Sequence, residues 1–322
     1  MRTGLFTDSL PSYALGEVLD LARELDVTDL EIGTGNYSPS PHCDLPGLLH
    51  DRATRAAWLQ EFAGRGLSIC ALNCSGNPLH PDDAMARAHD AVLRDTLRLA
   101  GELGIPRVVA MSGCPGTPGG SSAPHWSAGA WLPDYENIAE WQWQERILPY
   151  WQELASVASA QGIKHLCLEL HPGMAVYNPY TLHRLRDAVG TVVAANLDPS
   201  HLFWQGMDPL AVIATLGDAI GFVHAKDTLI DRTNMALNGM LDSRWPARPA
   251  EMPWSFCTMG YGHDAAFWKA FVLKLRAHNY DGVLSIEHED PLLTPTDGVR
   301  KSVRFLRAVV PNEGRTKEYE HA

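Results

Sequence analysis

With 322 residues, 45% of them hydrophobic and 20% charged, the chain is long enough for a large core and ordinary in its balance. No apolar run reaches the length of a membrane-spanning helix, and the N-terminal MRTGLFTDSLP reads as a first strand, not a signal peptide. A formal net charge of -12 argues against a protein that tracks a nucleic-acid backbone.

Strands are expected at residues 2–6, 28–32, 67–72, 106–111, 164–169, 192–197, 220–225 and 283–287. Most are short apolar runs without strict alternation, the pattern of strands covered by helices on one side and filled by core on the other. Helical patterns lie between them: 15–25, 84–103 with Gly104 as its stop, and a longer one near 137–161 followed by Gly162. Eight such units close a (β/α)₈ barrel, read as a single domain over 1–322. The competing open doubly wound sheet has little support. No G-x-G-x-x-G follows the first strand, and GTGNY at 33–37 lacks the full fingerprint.

Three excursions, 33–50, 112–136 and 228–262, leave C-terminal strand ends and are expected over the active-site face. The last carries Trp245, Trp254 and Phe256, which suit either a lid or a seal over the fold. The cysteines, Cys43, Cys70, Cys74, Cys114, Cys167 and Cys257, are too scattered for a zinc finger. Cys70 and Cys167 are expected as buried thiols, and a reducing cytoplasm fits them.

Four apolar runs end in metal-ligand residue types: Glu169 in LCLEL, Asp198 in VVAANLD, His224 in IGFVH and Glu287 in GVLSIE. In a barrel such ends converge on one pocket. Three carboxylates and an imidazole favour Mn²⁺, with Mg²⁺, Co²⁺ or Zn²⁺ as alternatives. An ion there that takes a carbonyl and a neighbouring hydroxyl stabilises a developing enediolate. His171 lies on the same side of its strand end as Glu169 and is a candidate base. His201, one turn after Asp198, and Lys226, two after His224, are candidates for substrate contact, as are His125, Trp254 and His263 from the excursions. Asp227 is expected to hold a loop or pair with Lys226. His288 is expected to point away, and Asp290 to cap the next helix.

The settings ELHPG, DPSHL, HAKD and SIEHED resemble those of the xylose-isomerase-like barrels, a superfamily of ketose 3-epimerases, inosose dehydratases and type-two apurinic endonucleases. The resemblance runs from the first strand to about residue 310. By resemblance to the epimerases, Glu169, Asp198, His224 and Glu287 bind Mn²⁺ or a similar ion, the two glutamates exchange the substrate proton, and His201 contacts the substrate. The chain departs from them in having Lys226-Asp227 and a long excursion in place of an arginine-bearing loop, and in His171. ELHPGM…YNP, DPSHLFWQG and HAKDT resemble more closely the large subunit of C-glycoside deglycosidases and barrels that open 3-keto anhydrosugars. That branch implies a metal-dependent lyase for 3-oxo-glycosides, with His171 taking the C2 proton, and a small β-rich second subunit. The alternative is a sugar isomerase or ketose 3-epimerase using Glu169 and Glu287. An oligomer with a small-molecule sugar substrate is expected on either reading, with no membrane or nucleic-acid partner. Abasic-site repair, for which His42, His125 and His263 could enlarge the metal cluster, is opposed by the acidic balance, and a non-catalytic sugar- or metal-binding barrel by the complete ligand set.

Overall fold

A computed structural model describes residues 1–128, 132–242, 244 and 248–311. Eight parallel strands close a barrel: β1 (Arg2–Phe6), β2 (Asp29–Gly33), β3 (Ser68–Cys74), β4 (Arg107–Ala110), β5 (His165–Glu169), β6 (Val193–Leu197), β7 (Ile220–Ala225) and β10 (Val283–Ile286). Each expected strand is present to within two residues at either end. β10 pairs with β1 and β7, so the last barrel strand closes the ring onto the first. The remaining pair, β8 (Asp227–Ile230) and β9 (Trp254–Cys257), is a two-stranded antiparallel ribbon outside the barrel. It was not foreseen: DTLI follows directly on β7 and reads as its continuation, and WSFC is too short to stand out.

The barrel interior is layered, because every second residue of a strand points inward. Ala71, Val109, Cys167, Ala194, Phe222 and Val283, from six different strands, form a separate buried apolar cluster. Two residues further along stand Asn73, Met111 just past the end of β4, Glu169, Asn196, His224 and Ser285, and β2 adds Glu31. That upper layer is polar apart from Met111. β1 approaches β10 closely enough that a Cβ at Gly4 would collide with Val283, so only glycine fits there.

The helices pack on the outside. Asp83–Leu103 is capped by the Asp82 carboxylate and stopped by Gly104 in the left-handed region at φ 68°. The long pattern near 137–161 resolves into helix Pro133–Trp141, a wide π-turn Gln142–Ile147 and helix Leu148–Ala160. Pro149 has no N–H to give the preceding turn, which favours widening there. Among the described residues no helix is long and apolar enough to cross a membrane.

Two of the three excursions are each tied down by a polar anchor. The Gln142 amide, on the π-turn, donates to the carbonyls of Pro115, Gly116 and His125. The buried Asp227 carboxylate accepts from the backbone N–H groups of Gly260, Gly262 and His263 and from the His263 ring. Asp227 therefore holds a loop and does not pair with Lys226. Asp290 accepts from Thr258 N–H and hydroxyl at 2.8 Å, while Thr294 caps the last helix, Pro295–Val309. The expected capping role for Asp290 is thus corrected, because the chain turns back across the ribbon before the helix begins. Trp245 lies outside the described residues. Cys167 is buried, whereas Cys70 is only half-buried near the barrel's lower rim.

Candidate metal centre and active-site cavity

Glu169, Asp198, His224 and Glu287 each offer one ligand atom, and these atoms lie within 4.8 Å of one another. β5 delivers Glu169 from its last position. Asp198 follows β6 and also caps the next short helix, its Oδ1 accepting from Ser200 N–H at 2.8 Å. β7 carries His224, and Glu287 follows β10. The four therefore meet because four neighbouring strands end at one level.

The electrostatics of the cluster fit a cation. Asp198 is fully buried, its Oδ2 has no hydrogen-bond partner, and its pKa is pushed up to about 8, first by burial and then by Glu169 and Glu287. Burial also works against ionisation of Glu287, but Lys226 and His224 outweigh it and hold that carboxyl well below the usual range. Burial opposes the imidazolium of His224, yet Glu31 and Glu287 hold its pKa well above the ordinary value. A buried group of three carboxylates and an imidazole with an orphaned oxygen is a donor set that a divalent ion satisfies.

Glu31 was missed in the sequence. It is wholly buried on β2, and both its carboxylate oxygens lie 3.1 Å from His224 Nε2. It also accepts from Asn73 Nδ2 at 2.8 Å and Ser285 Oγ at 2.6 Å. Nε2–H thus points at Glu31, and Nδ1, 3.0 Å from Glu287 Oε2, faces the other ligands. The available signal was an acid inside the apolar run DLEIG, since a buried acid needs a partner.

A cavity of about 390 Å³ opens beside the cluster and is lined by Glu169, Glu287, His171, His201 and Lys226. His201 Nε2 lies 3.0 Å from Glu169 Oε1 and 3.5 Å from Asp198 Oδ2, so it touches the ligands as well as the cavity. His171 stands with its ring centre 4.1 Å from that of His201. Its Nδ1 is 2.5 Å from the Pro172 carbonyl, and burial, then His201, lower its pKa to about 4. Nδ1–H therefore donates to the carbonyl, and the neutral ring keeps its lone pair on Nε2. Lys226, buried, lies 3.3 Å from Glu287 Oε2, pairs with Glu289 and sits 4.1 Å over the Phe256 ring.

Three candidates for substrate contact stand elsewhere. Trp254 stacks on Trp204 at 4.7 Å, and its ribbon neighbour Phe256 lines the cavity. His263 stacks on Phe203 at 3.6 Å while bonding Asp227, and His125 stacks on Tyr135. All three hold excursions in place. His288, expected to point away, does so: its ring packs against Gly298 of the last helix, while its backbone N–H donates to Ser9 Oγ beside the cavity. The opposite wall includes Asp8, whose carboxylate accepts from Ser38 and whose pKa burial raises to about 6.

The family model described as xylose isomerase-like TIM barrel matches residues 19–309. The chain belongs to this family. It is 38% identical over 312 residues to the uncharacterized protein YfiH of Bacillus subtilis (strain 168), covering 96% of this chain and 99% of that one. Among solved structures it is similar to D-psicose 3-epimerase with D-tagatose from Clostridium cellulolyticum H10, at TM-score 0.61 and 15% identity over 96% of this chain and 99% of that one. It is also similar to the probable 3-DHS dehydratase AsbF of Bacillus anthracis, at TM-score 0.66 and 14% identity over 95% and 99%. The two structural likenesses concern the fold. The xylose-isomerase-like barrel with its cluster of carboxylate and imidazole donors is consistent with metal-dependent sugar isomerisation or epimerisation.

Proposed function

We propose that the protein is a divalent-metal-dependent sugar isomerase or epimerase that moves a proton beside a carbonyl. The observation carrying this reading is that Glu169 and Glu287 belong to one four-residue donor set and line one cavity. The name of the D-psicose 3-epimerase that shares the fold supports it.

Glu169, Asp198, His224 and Glu287 hold the ion, and three oxygens with one nitrogen suit Mn²⁺. When bound, the ion supplies positive charge to the substrate oxygens as the adjacent C–H bond loses its proton. Lys226 keeps Glu287 ionised and thus able to accept a proton. His201 Nε2–H fixes the orientation of Glu169, the second carboxylate of the pair. Phe256 and the ribbon behind it cover Lys226 and exclude water from this end of the cavity.

A second reading is favoured by His171. Its proton-free Nε2 adds a third basic group to the cavity, a base for the C2 proton of a 3-oxo-glycoside. There the C2 proton passes to His171, its electron pair forms a C1–C2 double bond, and the C1 substituent departs with its bonding pair. The dehydratase named above shows by its name that elimination is considered within this fold. On this reading a small β-rich subunit accompanies the barrel. On both, the chain is one domain acting as a cytoplasmic oligomer.

The test is to chelate the purified protein, restore Mn²⁺, and supply free ketoses or 3-oxo-glucosides in deuterated water. An epimer or isomer carrying solvent deuterium supports the first reading, and release of the C1 substituent supports the second. Turnover of neither class sinks both. In the second case His171→Ala is expected to keep its metal and lose about 10²–10⁴-fold in C2 exchange.

A further inference from the structure

We infer that the opposite, N-terminal mouth of the barrel is a binding site for a phosphate-type oxyanion. A second cavity of about 390 Å³ opens there, lined by Arg107, His165, Arg2, Tyr280 and the backbone around Gly221. Arg107 and His165 are register partners on adjacent strands β4 and β5. Each lies two residues before an inward apolar residue, Val109 and Cys167, so both side chains face the barrel axis from below. The apolar layer separates this mouth from the metal cluster.

Among the described residues that line this mouth, Arg107 is left without a carboxylate partner. Arg2 is spent in a two-pronged bond with Asp29 at 3.0 Å. Asp281 is held by the chain's N-terminal ammonium at 2.6 Å, and Asp218 lies 3.8 Å from Arg186 on the outer rim. Arg107 gives its Nε–H to the Gly221 carbonyl at 3.1 Å, which fixes the guanidinium plane across the opening. Among the described residues no carboxylate lies within ion-pair distance of it. Beside it His165 Nδ1 is buried and has no partner. Burial, and after it the nearby charges of Arg107, Arg186 and Lys164, lower the His165 pKa. In a chain of net charge -12, such a focus is an exception to the surface around it. A guanidinium with its outer edge uncommitted, next to an unpartnered imidazole nitrogen, matches the several acceptor oxygens of a phosphate.

The experiment titrates inorganic phosphate into the protein loaded with diamagnetic Mg²⁺ and follows ³¹P line broadening and heat. The wild type and Asp198→Asn are expected to bind alike, which places the anion away from the metal end. Arg107→Gln and His165→Phe are expected to bind about 10- to 100-fold more weakly, the loss for a charge-assisted contact. His165→Phe keeps the ring volume and decides the matter if Arg107→Gln fails to fold. No binding at millimolar phosphate, equal binding in a folded His165→Phe, or binding abolished by Asp198→Asn would each overturn the inference. A sugar phosphate in a parallel titration tells whether free phosphate or a phosphorylated metabolite is preferred.

Discussion

Replacing Glu31 by glutamine tests the architecture of the metal centre without touching a ligand. The carboxylate receives His224 Nε2–H on both oxygens, Asn73 on Oε1 and Ser285 on Oε2. The amide keeps the shape and one acceptor oxygen, and Ser285 can rotate its hydroxyl to accept from the new NH₂. The fold should therefore survive. What is lost is the negative charge that fixes the His224 tautomer and raises the basicity of Nδ1. Such outer partners are worth about 10- to 100-fold in metal affinity, or about 1.4–2.7 kcal/mol. Competition with a chromophoric chelator, on apo protein loaded with Mn²⁺ or Zn²⁺, measures the change, and circular dichroism checks the fold. A folded Glu31→Gln with affinity within about threefold of wild type would refute the claim that this carboxylate tunes the histidine.

Further outcomes are expected from other groups. Glu169→Gln, Asp198→Asn, His224→Ala and Glu287→Gln should each weaken divalent-metal binding, and wild-type affinity in two or more folded variants would break the donor set. Asp8 titrates at about 6 in the fold against an ordinary 3.8, so the folded state holds its proton more tightly. Its stabilising effect is full below about pH 4 and lost as pH rises through about 6, so Asp8→Asn should gain up to about 3 kcal/mol over wild type by pH 7 and nothing at low pH, as denaturant titrations would show. Asp227→Asn should leave the barrel intact while raising hydrogen exchange at Gly260, Gly262 and His263, whose N–H groups it accepts. Unchanged exchange there would remove Asp227 as the anchor of the ribbon.

The barrel and the four donors were legible in the chain itself. Short apolar runs alternating with helical patterns specify the (β/α)₈ order, and a ligand-type residue at the end of LCLEL, VVAANLD, IGFVH and GVLSIE marks the shared rim. Such strand ends are local features, and barrel closure brings them together whatever the loops do. Partners that depend on contacts across the ring were not legible. Glu31 meets His224 across 193 residues and Ser285 across 254, so its role exists only once β2, β7 and β10 surround one interior. The same holds for the excursions. Trp254, His263 and His125 have the composition of a binding surface, but Asp227 and Gln142 fold them onto the scaffold and leave Phe256 at the cavity. His288, one step past the glutamate that ends this run, keeps the outward direction that alternation gives it, with its ring on Gly298 of the last helix, whereas Asp290 turns to Thr258 instead of capping that helix. Periodicity determines a residue's direction only while a ladder of hydrogen bonds continues, and beyond it tertiary contacts decide.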